Sequence, residues 1–329
     1  MMSRREFITL LGGVTAWPLA ARAQQASRMR RIAVLNSNTE GDPVGQARVT
    51  AFLQGLAKLG WTAGGNIRID YRWGATDAVR VRADAAELLA LAPDVILAST
   101  SLAMAVLQQA TSTVPVVFIG IAEPVAQGFV QSLAHPGGNM TGFTAMEATV
   151  GAKWLELLKE VAPRVARVAF MFNPDNPGPG QWFGSAAAAG PQLAVEVTMA
   201  PVRGPAEIEA AITLLGREPG GGLILPTDGF TLVHRKLIID LAARYRLPAI
   251  YGFRDFTTDG GLVSYDVDLT DEYRQAASYV DRIFRGERPG DLPIQQPTKY
   301  KFVINLRAAK ALGIEVPLLL QQRADEVIE

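Results

Sequence analysis

The chain has 329 residues, 49% of them hydrophobic and 19% charged, and at roughly 100–200 residues per domain two domains are the default. Its 32 basic and 32 acidic residues cancel, which argues against a broad nucleic-acid surface. No cysteine is present, so disulfides, thiolate nucleophiles and cysteine metal sites are excluded together.

The first segment, Ser3-Arg4-Arg5-Glu6-Phe7-Ile8, has the form of a twin-arginine export signal. A weakly apolar stretch runs from Ile8 to Ala20, and Ala21-Arg22-Ala23 supplies the small-x-small pattern cut by signal peptidase. We expect residues 1–23 to be a signal peptide cleaved after Ala23, and the mature protein to be periplasmic. The apolar run is shorter than the roughly 20 residues a membrane span needs, and Pro18 breaks a helix there.

From residue 30 strands and helices alternate. Arg31-Ile-Ala-Val-Leu35 is a short apolar run suited to a buried parallel strand. Val49, Phe52, Leu53, Leu56 and Leu59 recur at helical spacing, and Gly60 ends that helix. Residues 66–73 alternate like a strand, 78–91 are helical, and 94–98 form a third strand. Thr100-Ser101 caps a helix over 102–110. A fourth strand spans 114–119. The Gly- and Pro-rich stretch that follows, to about residue 145, is expected to cross between two lobes.

Alternation then restarts. Trp154, Leu157, Leu158 and Val161 share one helix face, and Arg167–Phe172 is a strand. A helix near 180–190, a strand at 193–199 and a helix carrying Ile208, Ala211, Ile212 and Leu215 come next. Strands are expected at 222–225, 248–251 and 262–265, and helices at 232–245 and 269–285. Two successive runs of β-α units imply an α/β protein: two Rossmann-like lobes with mostly parallel sheets. In such sheets ligands sit beyond the carboxyl ends of the strands.

Those ends are Asn36-Ser37-Asn38, Thr100-Ser101, Glu123, Asn173, Thr227-Asp228, Tyr251 and Ser264-Tyr265-Asp266. Nearly all carry hydrogen-bonding groups. Asn36, Ser37, Asn38, Thr100, Ser101, Glu123, Asn173, Thr227, Asp228, Tyr251, Tyr265 and Asp266 are therefore the candidate ligand contacts. Ser101 precedes a helix whose free N–H groups favour an anion, and Glu123 and Asp228 suit a cationic amine, so the set suits a zwitterion. Each residue taken singly also serves as an ordinary turn or N-cap residue. The loop aromatics Phe143, Trp182, Phe230 and Phe253 are candidates for an apolar wall.

Catalytic patterns are absent. The two histidines, His135 and His234, have no partner at metal-ligand spacing, so no metal, cofactor or catalytic residue is expected. No G-x-S-x-G elbow and no Walker loop occurs. Gly178-x-Gly180 after a strand begins a dinucleotide fingerprint, but Phe183 stands where a third glycine is needed.

Several stretches together resemble the substrate-binding proteins of ABC transporters of the tryptophan/tyrosine type. They are Pro93-Asp-Val-Ile96 with Thr100-Ser101, Glu123-Pro-Val125, Pro136-Gly-Gly-Asn-Met-Thr-Gly142 and Lys153-Trp-Leu-Glu-Leu-Leu158, then Phe172-Asn-Pro174, Pro226-Thr-Asp228 and Asn305-Leu-Arg-Ala-Ala-Lys-Ala-Leu-Gly313. The resemblance runs from about residue 30 to the end. It implies a type I periplasmic-binding fold with a three-segment hinge, no catalysis, and an ABC permease as partner. Glu123 stands where that family often has Asp, and Gly252-Phe-Arg254 is bulkier than expected.

We therefore expect lobe 1 over residues 30–122 and 269–288 and lobe 2 over 145–265 and 297–329. Crossovers are expected at 123–144, 266–268 and 289–296. The expected function is that of a monomeric periplasmic receptor for a small molecule, an amino acid or related small carboxylate, closing on it by hinge motion. Two alternatives share parts of the pattern: an exported oxidoreductase carrying a nucleotide cofactor, and a ligand-sensing module for a membrane receptor.

Overall fold

A computed structural model describes residues 29–74, 77–297 and 299–329. The expected signal peptide, residues 1–23, lies outside the described residues. Strands β1 (Arg30–Leu35), β2 (Ile67–Arg72), β3 (Val95–Ser99), β4 (Val116–Ile121) and β5 (Met140–Thr144) form one sheet in the order β2-β1-β3-β4-β5, parallel throughout. Helices α1 (Pro43–Lys58), α2 (Ala78–Ala90) and α3 (Ser101–Ala110) connect its strands. Each starts at a side-chain cap that the sequence supplies: Asp42, Asp77 and Thr100 accept from first-turn N–H groups.

The second sheet holds β6 (Arg167–Phe172), β7 (Glu196–Pro201), β8 (Gly221–Leu225), β9 (Ala249–Tyr251), β10 (Val263–Val267), β11 (Tyr300–Asn305) and β12 (Glu326–Ile328). Their order is β12-β11-β10-β9-β8-β6-β7, and β10–β11 is the antiparallel pair. Around it lie α4 (Val150–Val161), α5 (Gly180–Ala189), α6 (Pro205–Leu215), α7 (Gly229–Val233), α8 (Arg235–Arg244) and α9 (Arg254–Thr258). Then come α10 (Leu269–Phe284), α11 (Leu306–Leu312) and α12 (Leu318–Arg323).

Why the strands read as continuous apolar runs is plain from the packing. Each sheet is covered on both faces, so alternate residues enter different cores. Ile32 and Val34 pack with α1 and α10, while Ala33 and Leu35 pack with α2 and α3. Phe170 joins Trp154 and Trp182 on one face of the second sheet, and Met171 joins Ile208 and Ile238 on the other. Full burial of a side chain of this size contributes about 1.5–3 kcal/mol, so a one-residue slip would be costly.

The chain passes between the sheets three times: after β5, between β10 and α10, and between α10 and β11. Helix α10 packs on the first sheet through Tyr273, Ala276 and Val280. Gln295 on the return path bonds to Gly142 and Thr144 at the end of β5. Two local expectations are corrected. Residues 140–144, placed in a crossover from their Gly- and Pro-rich setting, form the edge strand β5, because Met140 and Phe143 are buried against neighbouring elements. The helix expected over 232–245 is two helices meeting at His234, whose Nδ1 lies 2.9 Å from the Phe230 carbonyl oxygen.

Candidate functional site

The carboxyl ends of β1, β3, β4 and β8 converge, with the β6–α5 loop, on a cavity between the lobes. Its first-lobe wall is built on the β3–α3 turn. Thr100 takes a left-handed φ of 104° there, so that its Oγ1 accepts from Ala103 N and α3 points its N-terminus at the cavity. Free first-turn N–H groups favour an anion. Ser101 lines the cavity beside it and accepts from Gln127 Nε2 at 3.1 Å. Ser37, from the end of β1, completes this side.

The second-lobe wall brings Thr227, Gly229 and Asn176 to the same space, with Trp182 and Phe253 as aromatic surface. Thr227 Oγ1 is buried with no hydrogen-bond partner. The walls approach closely. A Cβ on Gly229 would lie 2.9 Å from Ser37 Cβ, and one on Gly178 would lie 3.0 Å from Ser101 Oγ. Gly178-Pro-Gly180 is thus a point of contact between lobes.

Ion pairs seal the rim. Arg235 at the start of α8 reaches Asp42, the α1 cap, at 2.7 Å, and Asp259 at 2.8 Å. Arg48 of α1 reaches Asp255 of α9 at 2.8 Å. Burial alone would raise the Asp42 pKa, but the Arg235 hydrogen bond, the Val44 N–H and the guanidinium charge together hold it below the ordinary value. The two lobes are closed upon each other.

The structure sorts the sequence-derived contacts into three groups. Ser37, Thr100, Ser101 and Thr227 line the cavity. Asn173 and Asp228 line a small neighbouring recess with Asn176. The others support or lie elsewhere. Asn36 Oδ1 accepts from Asn38 N, and Asn38 in turn bonds to Asp42 and Arg48. Glu123 Oε1 accepts from Ala148 N at 3.3 Å, in the segment leading to α4. Tyr251 turns into the core and stacks on Phe256 at 4.4 Å, since alternate strand residues face opposite ways. Tyr265 stacks on Tyr300 at 5.4 Å. Asp266 accepts from Arg254 N and faces a separate hollow with Lys301.

Asp228 does not present a carboxylate for an amine. Its Oδ1 accepts from Thr231 N and its Oδ2 from Asn176 Nδ2, both at 2.9 Å. It is 1% exposed, and burial raises its pKa despite these bonds. Of the loop aromatics, Trp182 and Phe253 line the cavity, Phe230 lines the recess and Phe143 lies against the hinge. Three contributors escaped sequence reading: Arg48, Tyr273 and Asn176. Arg48 carried a signal, since it lies four residues before Phe52, on the apolar stripe of α1. A charge there has a partner to find.

Among the described residues no helix is long and apolar enough to cross a membrane, and no group of three or more His, Asp or Glu is placed to hold a metal ion. A tyrosine-binding protein of Clostridioides difficile strain R20291 is 24% identical over 265 residues, 80% of this chain and 76% of its own length. The solved structure of an ABC domain in complex with L-Trp from Streptococcus pneumoniae superposes with a TM-score of 0.83 at 22% identity, covering 91% of this chain and 99% of the other. The ligand-free, open structure of a substrate-binding protein with adhesive properties from Clostridium difficile gives 0.63 at 23% identity, with the same coverages. The family described as ABC transporter substrate binding protein matches residues 32–328, nearly the whole described chain. Two parallel-stranded lobes, a cavity at their strand ends and that match together establish that this chain belongs to the ABC transporter substrate-binding proteins, with the type I periplasmic-binding fold.

Proposed function

We propose that the protein is an exported, periplasmic receptor of an ABC importer, binding an amino acid or related small carboxylate between its lobes and presenting it to an inner-membrane permease. The cavity carries this reading: the α3 N-terminus with unpartnered Arg48 Nε and Thr227 Oγ1, and Trp182, Phe253 and Tyr273 around them. Nothing at the site resembles a nucleophile and base in mutual reach. The relatives' names support the ligand class, since one is called tyrosine-binding and another holds L-Trp. Closer agreement with the L-Trp complex than with the open structure, at equal coverage, fits a receptor that closes around its ligand.

The three connecting segments as hinge, and the lobe bounds read from the sequence with β5 joined to the first lobe, are part of this proposal. The signal peptide, the monomeric state and the permease partner belong to the same proposal. Its test is a thermal-shift and calorimetric screen against amino acids and organic acids. A ligand at 100 times its dissociation constant stabilises by about 2.7 kcal/mol, so a clear rise in Tm is expected from at least one compound. Turnover of any compound in the screen would instead favour an enzyme.

A further inference from the structure

The interlobe cavity offers donors to its occupant but no free carboxylate. Its lining includes one cation, Arg48, and no Asp or Glu. Every nearby carboxylate except that of Glu272, whose Oε2 is buried without a partner, is already engaged. Asp228 holds Thr231 N and Asn176 Nδ2. Glu123 holds Ala148 N, Asp42 pairs with Arg235, and Asp255 pairs with Arg48. Asp266 holds Arg254 N and lines an adjoining hollow that shares Arg48 with this cavity, and Glu272 lines a third with Gln275 and Gln295. Burial pushes both up to about 8, and neither lines this cavity.

The donors are unspent by contrast. Arg48 is 6% exposed, and its Nε–H is buried without a partner although its two terminal nitrogens bond to Asn38 and Asp255. It lines the cavity together with Thr227, whose hydroxyl is also unpartnered, and with the N-terminus of the ten-residue α3. A buried donor with nothing to meet is costly unless a ligand meets it. The wall also carries Ser37, Ser101 and Asn176, and its apolar part is Ile119 and Leu269 beside the rings of Trp182, Phe253 and Tyr273.

We infer that the ligand is a monocarboxylate with an apolar, ring-bearing body and no ammonium group, its carboxylate seated between the α3 N-terminus and Arg48 Nε. This rests on the receptor reading and narrows it. A zwitterionic amino acid would bring an ammonium group into a closed cavity where it meets hydroxyls and amides but no counter-charge. The two aromatic acids below lack that group and keep the rest.

Calorimetry on matched pairs tests this: 3-phenylpropanoate against L-phenylalanine, and indole-3-propanoate against L-tryptophan. We expect the acid of at least one pair to bind at least roughly hundredfold more tightly than its amino acid. Equal or tighter binding of the amino acids overturns the inference and leaves the receptor reading intact. Silence from all four, with a neutral polyol raising Tm instead, overturns both. Arg48→Met should weaken the acid by roughly thirtyfold or more while leaving 3-phenylpropanamide within about threefold of its own unmutated value. Because Arg48 also bridges the lobes, Asp255→Asn serves as the control. It neutralises the bridge but keeps the guanidinium, so it should not weaken the acid more than the amide. An equal loss for acid and amide in Arg48→Met would make Arg48 a strut and overturn the carboxylate seat.

Discussion

At the scale of single residues, the site separates groups that wait for a ligand from groups that hold the wall. Asp228 belongs to the second kind. Replacing it with Ala removes the α7 cap and frees Asn176 Nδ2 in a buried setting. Stability should fall by about 1–3 kcal/mol, with an affinity change below roughly tenfold, about 1.4 kcal/mol. Calorimetry beside a melting curve distinguishes this from a direct ligand contact, which would show the larger loss in affinity. Glu272 makes a different prediction. Burial raises its pKa from an ordinary 4.5 to about 8. Between those values the folded protein keeps a proton that the unfolded chain has released, so stability falls as pH rises through that span. Glu272→Gln removes the titration. Melting curves from pH 5 to 8 should therefore slope less steeply for the variant than for the parent, and parallel curves would place the buried proton elsewhere.

At the scale of elements, the α7 and α3 N-termini meet across the cleft, and Gly229 sets how closely. Its φ lies outside the left-handed region, so alanine strains nothing within its own lobe. The new methyl would sit 2.9 Å from Ser37 Cβ and 3.2 Å from Thr100 Cγ2. Overpacking of this kind costs about 1–3 kcal/mol, here charged to the closed form alone, and affinity should drop roughly five- to 150-fold. Unchanged affinity in Gly229→Ala would mean that the lobes need not come this close. Elements were the most legible level of the sequence. The continuous apolar run of β1 reflects burial on two faces and the period-3.6 patterns of α1 and α10 burial on one, which hydrophobicity records directly. Strand β5 was obscured because Gly137, Gly138 and Gly142 surround it, and Gly142 is required there: at φ 150° a Cβ would lie 2.0 Å from the Phe118 carbonyl oxygen. Strand ends were also legible, and four of the twelve named residues line the main cavity. The remainder depended on tertiary facts. Whether Asp228 faces a ligand or Asn176 is decided by a residue 52 positions away, and no local pattern encodes that. Tyr273 reaches the cavity from a helix whose apolar face reads simply as core, whereas Trp182 and Phe253 are wall aromatics that the sequence already offered.

For the whole molecule, closure is held by contacts that exist only between lobes. The Asp42–Arg235 pair is the most buried of these, with side chains 5% and 8% exposed. Arg235 keeps Asp259 as a second partner within its own lobe, so opening leaves it paired. Asp42 exchanges Arg235 for water. In Arg235→Ala, Asp42 would be a buried charge without its counter-ion if the lobes stayed closed, a cost of about 3–5 kcal/mol when a buried pair loses one member. Opening relieves it. The ligand-free variant should therefore be more expanded than the parent in small-angle scattering and bind its ligand more weakly, while both reach the same radius at saturation. The depressed pKa of Asp42 adds a pH direction. Its contribution is present above the ordinary aspartate value and lost as pH falls through the depressed one, so acidification should expand the parent toward the variant. Added salt should do little by comparison, because a buried pair is screened far less than surface charges. A ligand shifts such an equilibrium only through contacts it makes better in one state, and the rim pair sets how much of that work is already done before the ligand arrives. If Arg235→Ala matches the parent in both radius and dissociation constant, the rim ion pair plays no part in closure, and the glycine contacts at Gly178 and Gly229 must govern it instead.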